Sequence, residues 1–315
     1  MLRLLITTCL ALVATSGAAT AQPCIQSAID DDGVLFTQAG QRILFYQRKT
    51  KSQAGKHARA HYIHPLYDLD GNVLTEDFPA DHLHHRGIFW AWHQLWVGDK
   101  KIGDGWVCQN FTWDVTQMQI EPEADGSVAL KVRVLWKSPD WVDATGVPKP
   151  LVEETTVIRI ASRPNQPRTM DFNIRLRALQ NDTRIGGSEN DKGYGGFSTR
   201  IRLPEGIRFV GTAADVTPQR TPVAAGPALD LPGRFGRDDK LSGLAILCHP
   251  SNPGFPQPWI LRNKGSMQNV AYPGREAVPL PTQGGLTLRY RLVVHRGAAS
   301  GGDLQTWQKA YAELP

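Results

Sequence analysis

A strict two-residue alternation constrains this chain more than any other feature. Val128, Leu130, Val132, Val134 and Trp136 alternate with Ala129, Lys131, Arg133, Leu135 and Lys137. Successive side chains of a strand point to opposite faces, so this period fits a half-buried strand and not a helix. Just before it, Ala124-Asp125-Gly126 reads as a turn, with Met118 and Ile120 opening the partner strand of a hairpin. The alternation recurs at 170–179, where Met170, Phe172, Ile174 and Leu176 oppose Asp171, Asn173, Arg175 and Arg177. Further strand-like runs lie at 43–48, 60–68, 154–161, 197–203, 242–248 and 286–295, with Asp70-Gly71 as a tight turn. One helix has convincing periodicity. It is C-terminal, with Asp303 as the expected N-cap and Leu304, Trp307 and Tyr311 on one face.

The predicted fold class is therefore all-β. So many strands in 315 residues would curl or split a single twisted sheet, which points to a large two-sheet β-sandwich with one short C-terminal helix. Hydrophobic residues make up 41% and charged residues 21%, with nine tryptophans, which fits a packed core and not a disordered chain. Residues 22–315 contain no linker, charge block or repeat, and are expected to form a single domain.

Residues 1–21 read as a cleavable signal peptide. Arg3 gives the basic start, 4–13 the apolar stretch and Ala19-Thr20-Ala21 the small-residue cleavage pattern. The expected location is periplasmic or secreted. No later run approaches the roughly 20 apolar residues of a membrane-spanning helix, so the chain is not expected to be membrane-embedded. Loss of Arg3 takes the net charge from +5 to +4. The remaining basic residues are interspersed along strands without a nucleic-acid motif, so no nucleic-acid partner is expected. Cys24, Cys108 and Cys248 remain, an odd number without zinc spacing. The apolar settings of Cys108 and Cys248 predict buried free thiols.

Seven of the nine histidines fall between 57 and 93: His57, His61, His64, His82, His84, His85 and His93. The run Asp81-His82-Leu83-His84-His85-Arg86-Gly87 leads into an aromatic stretch at 88–97. Read as one strand, that stretch puts Trp90, Trp92, Gln94 and Trp96 on one face and Phe89, His93 and Leu95 on the other. Three chemistries suit the cluster. His84, His85 or His93 can act as general acid and base, with Arg86 holding an anionic or hydroxyl group. His82, His84 and His93 are candidate ligands for a divalent metal, although acid–base chemistry needs no cofactor. Alternatively, the rings hydrogen-bond backbone in a loop-rich end of the sandwich. Trp92 is a candidate sugar-stacking surface, and core packing is the competing role.

Two further segments suit a ligand site. The glycine-rich stretch 186–197 brings Glu189, Asp191, Lys192 and Tyr194, with glycines that let backbone approach a ligand closely. The proline-dense stretch after Cys248 presents His249, Trp259 and Arg262. Asp68-Leu69-Asp70-Gly71-Asn72 superficially matches a calcium loop, but its glycine falls too early and no bidentate Glu follows, so a hairpin turn is expected.

Four ordered motifs carry a resemblance. They are His84-His85-Arg86-Gly87 with the aromatic stretch, Asp191-Lys192-Gly193-Tyr194-Gly195-Gly196, His249-Pro250-Ser251-Asn252-Pro253 with Pro258-Trp259, and Leu288-Arg289-Tyr290-Arg291 running to Val294-His295. Together they resemble the family catalogued as PmoA-like and often labelled "methane oxygenase". Leu83 stands where the pattern has proline. The membrane methane oxygenase subunit of that name is built of transmembrane helices, unlike this strand-dominated chain, so methane oxidation is not carried over. The resemblance implies a supersandwich similar to galactose mutarotase, where sugars bind a concave sheet face and histidines and carboxylates move protons.

The expected function is an exported carbohydrate-active enzyme of epimerase, lyase or hydrolase type acting on a small-molecule or oligosaccharide substrate. Its catalytic candidates are His84, His85, Arg86 and His93, with Asp191 or Glu154 as carboxylate partner. Lys192, Tyr194, His249, Trp259, Arg262 and Trp92 are the substrate-binding candidates. The alternatives are a non-catalytic carbohydrate-binding sandwich and a His-ligated metal-dependent oxygenase or hydrolase.

Overall fold

The computed structural model describes residues 24–163 and 165–314. The signal peptide expected at 1–21 lies outside them. Two eight-stranded sheets form a sandwich, and every strand pair among the described residues is antiparallel. The first sheet runs Ile25–Ile29, Gly33–Gln38, Gln41–Gln47, Tyr62–Leu66, Ile88–Ala91, Gly196–Thr199, Gln268–Ala271, Trp259–Ile260. The second runs Thr112–Pro122, Val128–Val142, Pro148–Ala161, Arg168–Ala178, Leu286–Arg296, Ser242–Cys248, Ala228–Gly233, Val210–Gly211.

The alternating residues do what their period requires. Leu130, Val132, Val134 and Trp136 are buried while Lys131 is exposed, and the hairpin closes with Pro122 opposite Val128. The inner face of the second sheet meets the first sheet through Trp90 on Phe172 at 6.0 Å and Phe197 on Tyr290 at 4.5 Å, and meets Trp92 through Trp136 at 5.6 Å. One apolar core extends from Ile25 to Val294.

Residues 88–97 are not a single strand. Ile88–Ala91 belongs to the first sheet, the chain bends at Trp92 and His93, and Gln94–Val97 joins a separate four-stranded sheet between Thr183–Gly186 and Lys100–Gly103. The shared face expected for Trp90, Trp92, Gln94 and Trp96 is thereby broken. The bend frees His93 from both ladders.

The C-terminal helix Gly301–Ala312 buries Leu304 and Tyr311, and Trp307 packs beside them. Its N-cap is Ser300, not Asp303. Asp303 is the third helical residue and bonds back to the Ser300 backbone, completing a capping box. Cys248 is a buried free thiol as expected, whereas Cys108 is half-buried and Cys24 exposed. At the Asp70-Gly71 turn, Asp68 Oδ1 accepts the backbone N–H groups of Asp70 at 2.9 Å and Asn72 at 2.7 Å, so the carboxylate is occupied in shaping a hairpin. No described helix is long and apolar enough to cross a membrane.

Candidate functional site

The histidine run sits in a coil immediately before Ile88–Ala91, tightened by the His85 N–H donating to the His82 carbonyl at 2.9 Å. That turn stacks the rings on one another. His82 lies 4.7 Å from His85 and 5.7 Å from His84, and His84 lies 4.5 Å from His85. His57 joins at 6.1 Å from His84, carried by the strand Lys56–Arg59 of a small hairpin. His85 is only 2% exposed, and His57, His82 and His84 are half-buried.

Trp106 links this run to His93. Its ring meets His85 edge-on at 5.8 Å, stacks on His93 at 5.5 Å and packs against Tyr194 at 5.1 Å. The His93 ring is fixed by a carboxylate, with Nδ1 2.8 Å from Asp104 Oδ2. The other oxygen, Asp104 Oδ1, accepts the backbone N–H groups of Trp106 at 2.9 Å and Val107 at 3.0 Å. A carboxylate only accepts, so Nδ1 carries a proton, and in the neutral ring the lone pair is on Nε2. That Nε2 is buried and has no hydrogen-bond partner.

Burial pushes the His84 imidazole down to about 3, reinforced by the Arg59 charge. Burial pushes His85 lower still, because a proton there would also be repelled by Arg200, by Arg59 and by any proton on its neighbours His84 and His82. Both rings are neutral near pH 7, each able to donate from one nitrogen and accept at the other. The site thus combines an oriented base with neutral proton donors in an aromatic setting.

The structure gathers only part of what the sequence suggested. Tyr194 is half-buried against His93 at 5.1 Å, and Lys192 lies 6.0 Å from the Tyr194 ring. The glycine-rich loop carrying them needs Gly187, where a Cβ would fall 2.3 Å from the Gly193 carbonyl oxygen. Arg262 lies within electrostatic reach of Tyr194, while its guanidinium donates to the carbonyls of Gln219 at 2.7 Å and Arg220 at 2.9 Å. Asp191 is exposed and paired with Arg220 at this rim.

Five candidates belong elsewhere. Arg86 is fully buried, paired with Asp77 and donating to the Tyr62 hydroxyl and to the carbonyls of Lys51 at 3.2 Å and His57 at 3.1 Å, so it braces the hairpin that carries His57. Glu154 is 0% exposed between the sheets. Its Oε1 lies 2.6 Å from each of His61 Nε2, Trp90 Nε1 and Thr156 Oγ1, and its Oε2 accepts from Trp136 Nε1 at 2.8 Å. It is a core tie, not a partner of the histidine run. His249 packs against the C-terminal helix, with Nδ1 2.7 Å from Ser251 Oγ and its ring 5.1 Å from Tyr311. Trp259 and Trp92 are buried, donating to the carbonyls of Gly226 at 2.9 Å and Tyr272 at 2.8 Å, and neither offers a stacking face.

Among the described residues no group of three or more His, Cys, Asp or Glu side chains is arranged to hold a metal ion. His82, His84 and His93 accordingly do not assemble into the expected ligand set, and His93 is held instead by Asp104. A surface cleft of about 610 Å³ lies under the 211–226 segment, but Asp215 is the one titratable side chain lining it. Asp104, Trp106 and Arg59 are the site residues that motif reading missed. The one local signal for Asp104 is its position before glycine in a turn. Residues 33–308 match the model of a family of unknown function, DUF6807, and no curated protein matches the chain.

Proposed function

We propose, on the premise that the chain belongs to the DUF6807 family of unknown function, that it is an exported carbohydrate-active acid–base enzyme of epimerase, lyase or hydrolase type. The observation that carries this reading is the His93–Asp104 pair with its buried, unpartnered Nε2. Asp104 holds the tautomer and stabilises the imidazolium that forms when Nε2 takes a proton from a sugar hydroxyl, a ring C–H or a water. The neutral His84 and His85 supply the complementary N–H donors across Trp106. Tyr194 and Lys192 serve as the rim against which a sugar ring settles. The His-containing motifs that resemble the PmoA-like family lie partly in this same place, which supports the sugar reading by analogy of fold.

A glycan-panel turnover screen, run with and without chelator, tests the proposal. Turnover of at least one saccharide is expected, unaffected by chelator and abolished by His93→Gln with the melting temperature held within a degree or two. Saccharides that bind without being converted would replace the enzyme by a sugar-binding sandwich. Export is tested separately, by N-terminal sequencing of the protein recovered outside the cytoplasm, which is expected to begin at Gln22.

A further inference from the structure

The carboxylates around the histidine cluster are each engaged by a neighbouring basic side chain. Asp81 takes Arg200 through two bonds of 2.8 and 2.6 Å and His82 at 2.8 Å. Asp77 takes Arg86 and Lys51, and Asp104 takes His93. Arg59 is different. It is 1% exposed, and among the described residues no Asp or Glu forms an ion pair with it. Its Nη2 donates to two carbonyls, Gly105 at 2.7 Å and Trp106 at 3.1 Å, its Nε is buried without a partner, and the Cys108 thiol is its side-chain neighbour. Its guanidinium lies over the rings of Phe89 at 4.8 Å and Trp113 at 4.3 Å, while His85 stacks on that same Phe89 ring at 6.1 Å.

Further orphaned nitrogens belong to the same cluster. His57 Nδ1, His85 Nδ1 and His93 Nε2 are buried without partners. A buried guanidinium without counter-charge is costly, and a set of unfilled polar atoms beside it stands to gain from an arriving acceptor. The depressed titration of His84 and His85, in which Arg59 takes part after burial, reports the same excess of positive potential.

We propose that the ligand group held against His57, His84 and His85 is an oxyanion, either the carboxylate of a uronic acid or the phosphate of a sugar phosphate, with Arg59 supplying the compensating charge. This rests on the reading of the histidine cluster as a saccharide site and adds the substrate class. Neutral imidazole N–H groups donate to the oxyanion, and the guanidinium makes those bonds charge-assisted. Arg59 acts by positioning and charge, not by proton transfer.

Calorimetric titration of the full chain with glucuronate, glucose 6-phosphate and glucose tests this. One of the two anions is expected to bind at least about tenfold more tightly than glucose, the size of one charge-assisted contact. Arg59→Met is expected to remove that preference, Arg59→Lys to keep most of it, and His84→Gln to weaken the anion alone. Which anion wins distinguishes carboxylate from phosphate. If Arg59→Met fails to fold, as judged by its melting curve, Arg59→Lys and His84→Gln decide the matter. Equal affinity for the three sugars, no binding of either anion, or a preference untouched by His84→Gln overturns the proposal. His93→Gln is expected to retain the anion preference. Anion binding without turnover therefore removes only the enzyme reading, and turnover confined to neutral saccharides removes only the oxyanion.

Discussion

At His93 the decisive atom is Nε2, whose lone pair exists only because Asp104 holds the proton on Nδ1. Asp104→Asn presents an amide that can donate to Nδ1, which favours the opposite tautomer and removes the base. A fall in kcat of about 10²- to 10⁴-fold with KM little changed is expected from steady-state kinetics, at nearly unaltered stability. Arg86 behaves in the opposite sense. The sequence offers Arg86 as the group that holds an anion or hydroxyl, but the buried pair with Asp77 makes it a bracing residue. Arg86→Ala leaves Asp77 only its half-exposed charged partner Lys51 and is expected to cost about 3 kcal/mol, read from urea denaturation, and any loss of activity should follow that loss of structure.

Among the elements, the bend at Trp92 and His93 decides the site. Aromatic alternation through 88–97 fits one long strand locally, but its two halves pair with different sheets, Ile88–Ala91 with Gly196–Thr199 and Gln94–Val97 with Thr183–Gly186. Pairing partners distant in sequence override the local period. The C-terminal helix shows a smaller version of the same effect. Both Ser300 and Asp303 are capping residues by type, and the serine takes the N-cap because its hydroxyl reaches the Asp303 N–H at 3.1 Å. Ser300→Ala is expected to cost about 1 kcal/mol and to raise amide exchange in the first helical turn. The helix is also anchored at Ala299, whose N–H donates to Asp230 Oδ2 at 2.9 Å, while Asp230 Oδ1 holds His295 at 2.9 Å.

For the whole molecule, buried titratable groups set the response to pH. Burial lowers His64 to about 4 and His84 to about 3, both from an ordinary 6.5. Between those values the unfolded chain binds protons that the folded chain does not, so stability falls as pH drops below 6.5. Burial alone would raise Glu154, but the His61 charge and the hydrogen bonds from His61, Thr156 and Trp90 outweigh it and hold the carboxyl below its ordinary 4.5. Its contribution is lost as pH falls further, through the folded-state value. His295 has the opposite sign. Burial would lower it, but the Asp230 hydrogen bond and charge raise it. Its contribution is fully present below 6.5 and fades only as pH rises through the raised value, so it does not offset the acid loss. Melting temperature is therefore expected to decline as pH falls below 6.5 and to fall more steeply below 4.5, as the pH approaches the lowered Glu154 value at which protonation loosens the tie between Trp90 of one sheet and Trp136 of the other. A flat profile across that range would contradict this account.

The all-β class, the long hairpin, the C-terminal helix and the crowding of histidines that makes up the candidate site were legible in the sequence alone. Side-chain period and the crowding of His57 to His93 are local properties that a chain carries before it folds. Which histidine acquires an orienting carboxylate was not legible, nor which arginine goes without one. Asp104 meets His93 across a turn, Arg86 finds Asp77 and Arg59 finds none, while Glu154 is drawn into the core by two tryptophans, His61 and Thr156. Those pairings depend on which strands become neighbours. Tertiary structure alone sets that, because hydrogen-bond and Coulomb energies depend on distance in space and not on separation along the chain.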